Sequence, residues 1–242
     1  MTPGAALVAL VTSVALAAGC GTDRRSGATD SPGDVAPVAA DIDTSGVVAA
    51  TVRLRSTGCG PRAELGTGTA IGDGLVVTVA HVVAGSDRVT AQHSDGTESE
   101  VEVVLFDPDL DLALVRLTRP PAANAAMRTE PATRGERGVI ATFDSDGAAE
   151  LVDVEVLRGV TIRTTDIYRA TDVERPGIEI TAAIEPGDSG AMVHLPGGGV
   201  GIVWSRSTLD PDRAWAVELP SFVLRDDERR ALTRPVDTGP CP

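Results

Sequence analysis

The amino-acid sequence predicts an all-β fold, and three observations lead to that prediction. From Val47 onward, short runs rich in Val, Ile and Thr are separated by Gly, Asp and Pro, which is typical of a β-barrel or sandwich. Only six of the 242 residues are aromatic although 42% are hydrophobic, so the core must be mainly aliphatic, and the branched aliphatic residues favour strands. Residues 119–135 contain three prolines and little periodicity, which indicates a connection between two halves.

Strand-like segments occur in two sets, one on each side of this connection. The first set contains six predicted strands, enough for one barrel, at residues 47–55, 68–71, 75–79, 88–92, 100–106 and 111–117. The second set is predicted at residues 138–143, 151–157, 160–164, 178–183, 191–195, 200–204 and 214–218. A closing helix is expected within residues 220–232.

The N-terminus has the pattern of an export signal. Residues 1–19 carry no charged side chain, and residues 5–18 form an apolar run too short to span a bilayer as a stable helix. The run ends in Leu16-Ala17-Ala18-Gly19-Cys20, which resembles the lipobox of bacterial lipoproteins, in which the cysteine is acylated. We therefore predict a lipoprotein-type signal peptide at 1–19 and a lipid anchor on an extracytoplasmic membrane face. A plain secretory signal, giving a secreted protein, or a buried apolar helix is the alternative.

The segment after Cys20 lacks the features of a folded domain. Residues 20–43 are rich in Gly, Ser, Asp, Pro and Ala without an apolar period, and we expect a disordered tether there. The folded domain is expected at residues 44–225, followed by a C-terminal tail at 226–242. With Cys20 given to lipid, Cys59 and Cys241 remain as a pair that could form a disulfide in an oxidising compartment.

The charge balance excludes several classes of function. The formal net charge is −14 and all 21 basic residues are Arg, so nucleic acid, whose binding needs a basic footprint, is a poor partner. The lack of Lys excludes a P-loop, a Lys Schiff base and a Ser-Lys dyad. No Cys-x-x-Cys or Cys/His cluster occurs, and we predict no metal and no other cofactor.

Gly187-Asp188-Ser189-Gly190 places a serine between glycines in a turn that joins two predicted strands. Acyl transfer needs a hydroxyl that a carbonyl group can approach, with backbone N–H groups aimed at the oxygen that becomes negative. Gly187 can turn its N–H inward and leaves room for that oxygen. The N–H groups of Gly187 and Ser189 are therefore the predicted oxyanion hole, although this tetrapeptide is also ordinary turn composition.

His81 follows directly on a predicted strand. A serine hydroxyl is a weak nucleophile at neutral pH, so a neutral imidazole must accept its proton and later give it to the leaving amine. The structural alternative is a hydrogen-bonded buried histidine. His93 and His194 lie in polar or turn-like sequence, and we expect both at the surface.

Asp111 opens an apolar strand, where a carboxylate could be buried against the imidazole and fix its tautomer. It is preferred over Asp107 and Asp109 because it alone abuts the apolar run, where a charge needs a partner. The alternative interpretation is that all three aspartates are solvent-exposed residues of a loop or turn.

Three segments together resemble trypsin-like peptidases of the Deg/HtrA type, over about residues 47–223. They are residues 66–85 with Val79-Ala80-His81, residues 111–115, and residues 181–190 with Gly187-Asp188-Ser189-Gly190. They occur in the family's order and spacing, and three motifs in register are far more specific than one. The resemblance implies two perpendicular six-stranded antiparallel barrels, at about residues 47–118 and 136–218, with the active site in the cleft between them.

The resemblance also implies the residues of the site. His81, Asp111 and Ser189 would form a catalytic triad, and Ala183 would lie at the floor of the pocket for the residue before the cut. With Trp204 as a second pocket residue, we expect this pocket to be uncharged and modest in size. No sequence remains for a PDZ module, and we expect none.

The leading hypothesis is a serine endopeptidase that acts on unfolded or extended polypeptide, since clefts of this family bind substrate as an added strand. The alternative is a catalytically silent, protease-like module that binds peptides at the cell surface, against which the intact triad residues argue. An esterase is disfavoured, because Gly187-x-Ser189-Gly190 is not the Gly-x-Ser-x-Gly nucleophile elbow.

Overall fold

The computed structural model describes residues 41–242, which contain two closed barrels of six strands each. The first barrel is built from β1 (Thr51–Thr57), β2 (Glu64–Gly72), β3 (Leu75–Thr78), β4 (Arg88–His93), β5 (Glu98–Asp107) and β6 (Leu112–Leu117). Its strands follow the order β1-β2-β3-β6-β5-β4, and β4 pairs with β1 to close it. All of these pairings are antiparallel.

The second barrel is built from β7 (Arg137–Phe143), β8 (Ala149–Thr165), β9 (Asp172–Thr181), β10 (Met192–Leu195), β11 (Gly198–Arg206) and β12 (Arg213–Glu218). Its order is β10-β11-β12-β9-β8-β7, and antiparallel pairing of β10 with β7 closes it. The predicted fold class, two six-stranded antiparallel barrels, is therefore confirmed.

The described residues also form four short helices: α1 (Thr44–Ala50), α2 (Ala80–Val83), α3 (Ser221–Leu224) and α4 (Asp226–Ala231). The single helix expected at residues 220–232 is thus divided at Arg225 into α3 and α4. Beyond them the tail is fixed on the first barrel, where Val236 N–H donates to Val103 O at 2.9 Å and Gly85 N–H donates to Thr238 O at 3.1 Å.

The first strand begins later than predicted, because residues 47–50 belong to α1. The carboxylate of Asp43 caps this helix by accepting a hydrogen bond from the N–H of Gly46 at 3.0 Å. Val47 and Ala50, three residues apart, are buried on one face, and Val47 packs against β7. A capped turn with one apolar face therefore outweighs the strand preference of the valines.

The strands predicted at 151–157 and 160–164 form one long strand, β8. A register shift after Val156 absorbs the irregularity between them, and β9 pairs with β8 across the shift. β9 also begins earlier than predicted and continues through Pro176, a residue that usually limits strands. The resulting β8–β9 hairpin reaches the first barrel, where Ile167 N–H donates to Pro108 O at 3.3 Å.

The most deeply buried strand pair lies in the first barrel. All four residues of β3 and five of the six residues of β6 are buried, and the two strands pair directly. His81 lies just after β3 and Asp111 just before β6, so the backbone of each residue adjoins a tightly packed strand.

The predicted signal peptide, Cys20 and residues 20–40 of the tether lie outside the described residues. Within residues 41–242, no helix has the length and apolar character needed to cross a membrane.

His93 and His194, expected at the surface, are both buried. His93 is 7% exposed, and its Nε2 lies 2.8 Å from Ser99 Oγ. His194 is 4% exposed, and in the described part of the chain its Nε2 has no hydrogen-bond partner. The polar sequence around both residues was misleading, because strand alternation turns His93 inward and β10 is buried along its whole length.

We expect His194 to make the fold sensitive to acid. Burial lowers the pKa of His194 from 6.5 to about 4, so between these values the unfolded chain binds a proton that the folded chain does not. Stability is therefore fully present above this range and is lost as the pH falls through it, by up to about 3 kcal/mol. Urea unfolding at a series of pH values across this range should show the loss in wild type. In His194→Leu, the free energy of unfolding should depend less steeply on pH.

His93→Leu is the control, since it removes the other buried histidine and should retain the His194 part of the slope. A folded His194→Leu protein with the wild-type slope would contradict the assignment.

Candidate active site

Strands β3 and β6 bring His81 and Asp111 together. Thr78 of β3 pairs with Ala113 of β6, so the residues after β3 and before β6 lie at the same end of the barrel. His81 is the second residue of α2, and the other three residues of that helix are buried. The His81 side chain is 28% exposed and is therefore accessible at the barrel surface.

Asp111 holds His81 by two hydrogen bonds. Its Oδ2 lies 2.8 Å from His81 Nδ1, and its Oδ1 accepts the backbone N–H of His81 at 2.8 Å. Burial opposes ionisation of Asp111, but the hydrogen bonds and charge of His81, with the charge of Arg175, more than offset it, so the pKa of Asp111 is lowered. An ionised carboxylate facing Nδ1 favours the tautomer in which Nε2 is free to accept a proton.

The turn that carries Ser189 belongs to the second barrel and docks on β2 of the first. The N–H of Thr67 donates to Ser189 O at 2.8 Å, and Thr67 Oγ1 donates to Gly187 O at 2.9 Å. Gly190 has φ 91°, and a Cβ there would lie 2.2 Å from Thr67 O and 2.4 Å from Thr78 Oγ1, so only glycine fits. This close contact places the serine turn beside the end of β3, and α2, which carries His81, begins two residues later.

Two of the backbone N–H groups in this turn have no hydrogen-bond acceptor among the described residues. The N–H of Asp188 donates to Glu185 O at 3.1 Å and that of Gly190 donates to Val203 O at 2.8 Å. For the N–H groups of Gly187 and Ser189, by contrast, the described residues supply no acceptor. Along the turn, bonded and unbonded N–H groups therefore alternate: those of Asp188 and Gly190 are bonded, and those of Gly187 and Ser189 are not.

The buried side chain of Asp188 stabilises the same turn. It is 5% exposed, and its Oδ2 accepts the backbone N–H of Glu185 at 2.8 Å. Burial raises the pKa of Asp188.

The His81 ring is bonded to Asp111 alone within residues 41–242, and Ser189 Oγ makes no hydrogen bond with it. In enzymes without substrate, catalytic hydrogen bonds are often long or poorly aligned. The described arrangement thus contains an oriented histidine and a separately fixed serine.

Two residues of the second barrel reach Asp111, and sequence reasoning missed both contacts. Trp204 on β11 donates its indole N–H to Asp111 Oδ2 at 2.9 Å. Arg175 on β9 has its Nη1 4.0 Å from the same oxygen and its guanidinium carbon 5.1 Å from the centre of the Trp204 ring. Arg175 stands between Glu174 and Pro176, where it resembles a solvated surface charge, so the sequence carries no signal for its burial.

Ala183 and Trp204, the two predicted pocket residues, lie in different surroundings. Ala183 is exposed on a cavity of about 570 Å³ beside the nucleophile turn, whereas the indole N–H of Trp204 is directed at Asp111. Its lining is mixed: it includes apolar side chains such as Leu65 and Phe143, the cation Arg53, and four acidic residues, Asp144, Glu150, Glu185 and Asp188. Asp144 and Glu150 come from the distant β7–β8 region, which a local motif does not reveal.

Cys59 and Cys241 are joined by a disulfide, with their Cα atoms 5.4 Å apart. The Sγ of Cys59 lies 3.1 Å from the carbonyl oxygen of Ala84, next to the end of α2. A cavity of about 210 Å³ is lined by Cys59, His81 and Pro242 among others, so the C-terminal tail reaches the surroundings of His81. Within residues 41–242, no cluster of three or more His, Cys, Asp or Glu side chains is arranged to hold a metal ion.

Several known proteins that are similar to this chain are serine proteases. The family model described as Trypsin-like peptidase domain matches residues 66–200, more than half of the chain. Serine protease Rv3671c of Mycobacterium tuberculosis is 31% identical over 204 residues, which cover 81% of this chain and 50% of that protein. Serine protease Do-like HtrA of Lactococcus lactis is 28% identical over 165 residues, which cover 65% of this chain and 40% of that protein. The chain spans about half the length of the curated relatives it matches, or less.

Solved structures give the same result. The active form of the Rv3671c protease superposes with a TM-score of 0.75 at 27% identity, covering 83% of this chain and 89% of that chain. The HtrA-type protease AlgW with tripeptide superposes with a TM-score of 0.61 at 22% identity, covering 74% of this chain and 60% of that chain, and supports the fold alone. The resemblance to Deg/HtrA-type proteases is confirmed, and the chain belongs to the family of the trypsin-like peptidase domain.

Proposed function

We propose that this protein is a serine endopeptidase whose catalytic triad is His81, Asp111 and Ser189. The observation that carries the proposal is the pairing of an oriented imidazole, bonded through Nδ1 to a buried carboxylate, with a rigid turn that has two free N–H groups around a serine. Family membership supports the same reaction class. The identity of each catalytic residue is part of the proposal.

The proposed reaction passes through an acyl-enzyme. Ser189 Oγ attacks the scissile carbonyl carbon while His81 Nε2 takes the hydroxyl proton, and the carbonyl oxygen becomes an oxyanion bonded by the N–H groups of Gly187 and Ser189. The carbon–nitrogen bond then breaks, and His81 gives its proton to the leaving amine. Water repeats the attack with His81 as base, so the acid product leaves and the Ser189 hydroxyl is restored.

Polypeptide is the proposed substrate, bound as an extended strand in the cleft between the barrels. Ala183 and Trp204 remain proposed pocket residues for the side chain before the cut. The cavity beside Ala183 is lined by four carboxyl groups and by the guanidinium of Arg53.

A catalytically silent peptide-binding module is the second candidate, and one observation favours it: the described residues show no hydrogen bond from Ser189 Oγ to His81. A fluorophosphonate probe separates the two candidates, because it reacts only with an activated serine and requires no known substrate. We expect the purified protein to be labelled on Ser189. A folded protein that neither reacts with the probe nor cleaves an unfolded protein substrate would refute the proposed activity, and only the fold assignment would stand.

We further propose that Cys20 is acylated and anchors the domain on the extracytoplasmic face of a bacterial membrane, as its lipobox-like context suggests. Cys20→Ser should release the protein from the membrane fraction or block its processing. Ser26→Ala, in the same segment, is the matched control and should fractionate like wild type. Membrane association that survives Cys20→Ser would place the anchor elsewhere.

A further inference from the structure

The carboxylate oxygen that orients His81 is shared by three groups. Asp111 Oδ2 lies 2.8 Å from His81 Nδ1, 2.9 Å from Trp204 Nε1 and 4.0 Å from Arg175 Nη1. His81 and Asp111 belong to the first barrel, whereas Arg175 and Trp204 belong to the second. The contact thus joins the two barrels at the proposed catalytic aspartate.

The Arg175 side chain is buried and hydrogen-bonded beside Asp111. Its side chain is 1% exposed, although burial of a cation costs free energy unless the cation is paired and hydrogen-bonded. Its Nε donates to Asp109 O at 2.7 Å and its Nη2 donates to Thr165 O at 3.2 Å. Burial lowers the pKa of Arg175, while nearby aspartates, Asp111 first among them, oppose that shift.

The backbone of Asp111 requires this support. Its φ is 54°, in the left-handed region, where a residue with a side chain persists only if its surroundings enforce the conformation. The Arg175 bond to Asp109 O fixes the loop two residues earlier, and the Trp204 bond fixes the carboxylate itself.

We propose that Arg175 and Trp204 form a clamp that positions Asp111, and through it His81, relative to Ser189 in the second barrel. The inference rests on the proposed function, since it assigns positioning residues to the same site. Neither residue touches the reacting atoms, and both act through Asp111.

The two clamp residues also change the charge that the imidazole of His81 faces. The positive charge of Arg175 opposes a second positive charge on the imidazole, and the Trp204 hydrogen bond withdraws negative charge from the oxygen facing Nδ1. Removing either group should let His81 keep its proton to a higher pH. A residue that only supported the fold would change the amount of folded protein and would leave this titration in place.

The test compares wild type with Trp204→Phe, Arg175→Met and Arg175→Lys, using Arg163→Met as the matched control. Arg163 lies on the neighbouring strand β8, its side chain is 82% exposed, and it pairs with Glu174 rather than with Asp111. The first measurement is the NMR titration of the His81 imidazole, identified by its loss in His81→Ala. The second is the rate of fluorophosphonate labelling as a function of pH.

In Trp204→Phe and Arg175→Met, we expect the acid limb of labelling and the His81 signal in the NMR titration to move to higher pH. The plateau labelling rate should fall about 10-fold in both. Arg175→Lys keeps the charge without the planar fork, so its titration should stay near that of wild type while its rate falls. Arg163→Met should match wild type in both measurements.

An unchanged His81 titration in folded Trp204→Phe, together with an unchanged titration in a folded Arg175→Met, would overturn the clamp. If Arg175→Met does not fold, two other results together overturn the clamp. They are an unchanged His81 titration in Trp204→Phe and a wild-type labelling rate in Arg175→Lys. A wild-type protein that fails to react with the probe would refute the proposed function, whereas the NMR titration would still test the clamp.

Discussion

Ser189→Ala is expected to abolish peptide hydrolysis, by about 10⁴-fold or more, and to leave the fold intact. The substitution removes one hydroxyl from a partly exposed side chain. The turn is held by main-chain contacts, from Thr67 N–H to Ser189 O and from Gly190 N–H to Val203 O, which alanine retains. Initial rates on an unfolded protein substrate measure the loss, and thermal unfolding shows that the fold persists.

His81→Ala and Asp111→Asn should also reduce the rate by orders of magnitude, and the losses should not add, because the first removal already disables the unit. The three variants should differ in stability. Asp111→Asn leaves the buried cation of Arg175 without its nearest carboxylate charge, so it should lower the unfolding temperature where Ser189→Ala does not. The wild-type rate should fall on acidification, because a protonated imidazole cannot act as the general base.

Ser94→Ala, at an exposed position in the loop between β4 and β5, is the matched control and should cleave at the wild-type rate. Equal cleavage by wild type and Ser189→Ala would remove Ser189 from the proposed triad. If both were inert toward substrate and probe, the silent binding module would be the better description.

The local sequence predicts much of the candidate site because the chemistry rests on short, strongly patterned segments. β3 and β6 are continuous apolar runs buried in a barrel, and His81 and Asp111 adjoin their ends. The glycines around Ser189 are required by positive φ and by close main-chain contact, which leave a clear trace in the sequence.

The features that sequence reasoning missed depend on distant contacts. Arg175 carries the pattern of a surface residue, yet the long β8–β9 hairpin brings it against a loop of the other barrel. His194 is buried because β10 packs between β7 and β11, which polar neighbours in sequence do not indicate. The helical state of residues 47–50 follows from a cap and from packing on the second barrel. Each case involves a packing partner far away in the chain, and for residues 47–50 a local cap acts as well.

Replacing both Cys59 and Cys241 by Ser is expected to produce the largest loss of stability among the substitutions considered. The disulfide joins residues separated by 182 positions, so it restricts the unfolded chain over most of the domain. In the chain-entropy model this restriction contributes about 5 kcal/mol, an upper figure because residual structure in the unfolded state reduces it. The unfolding temperature should fall by roughly 10 °C or more.

The tail also makes other contacts with the first barrel and with the β8–β9 hairpin. A truncation after Thr233 removes these contacts together with the disulfide, whereas the double Ser variant removes the disulfide alone. These contacts are few, chiefly the hydrogen bonds from Val236 N–H to Val103 O, from Gly85 N–H to Thr238 O and from the Tyr168 hydroxyl to Thr238 O. We therefore expect the double Ser variant to lose nearly as much stability as the truncated chain. A double Ser variant as stable as wild type, or two free thiols on unreduced denatured protein in addition to any from Cys20, would show that the bridge does not stabilise the fold in solution.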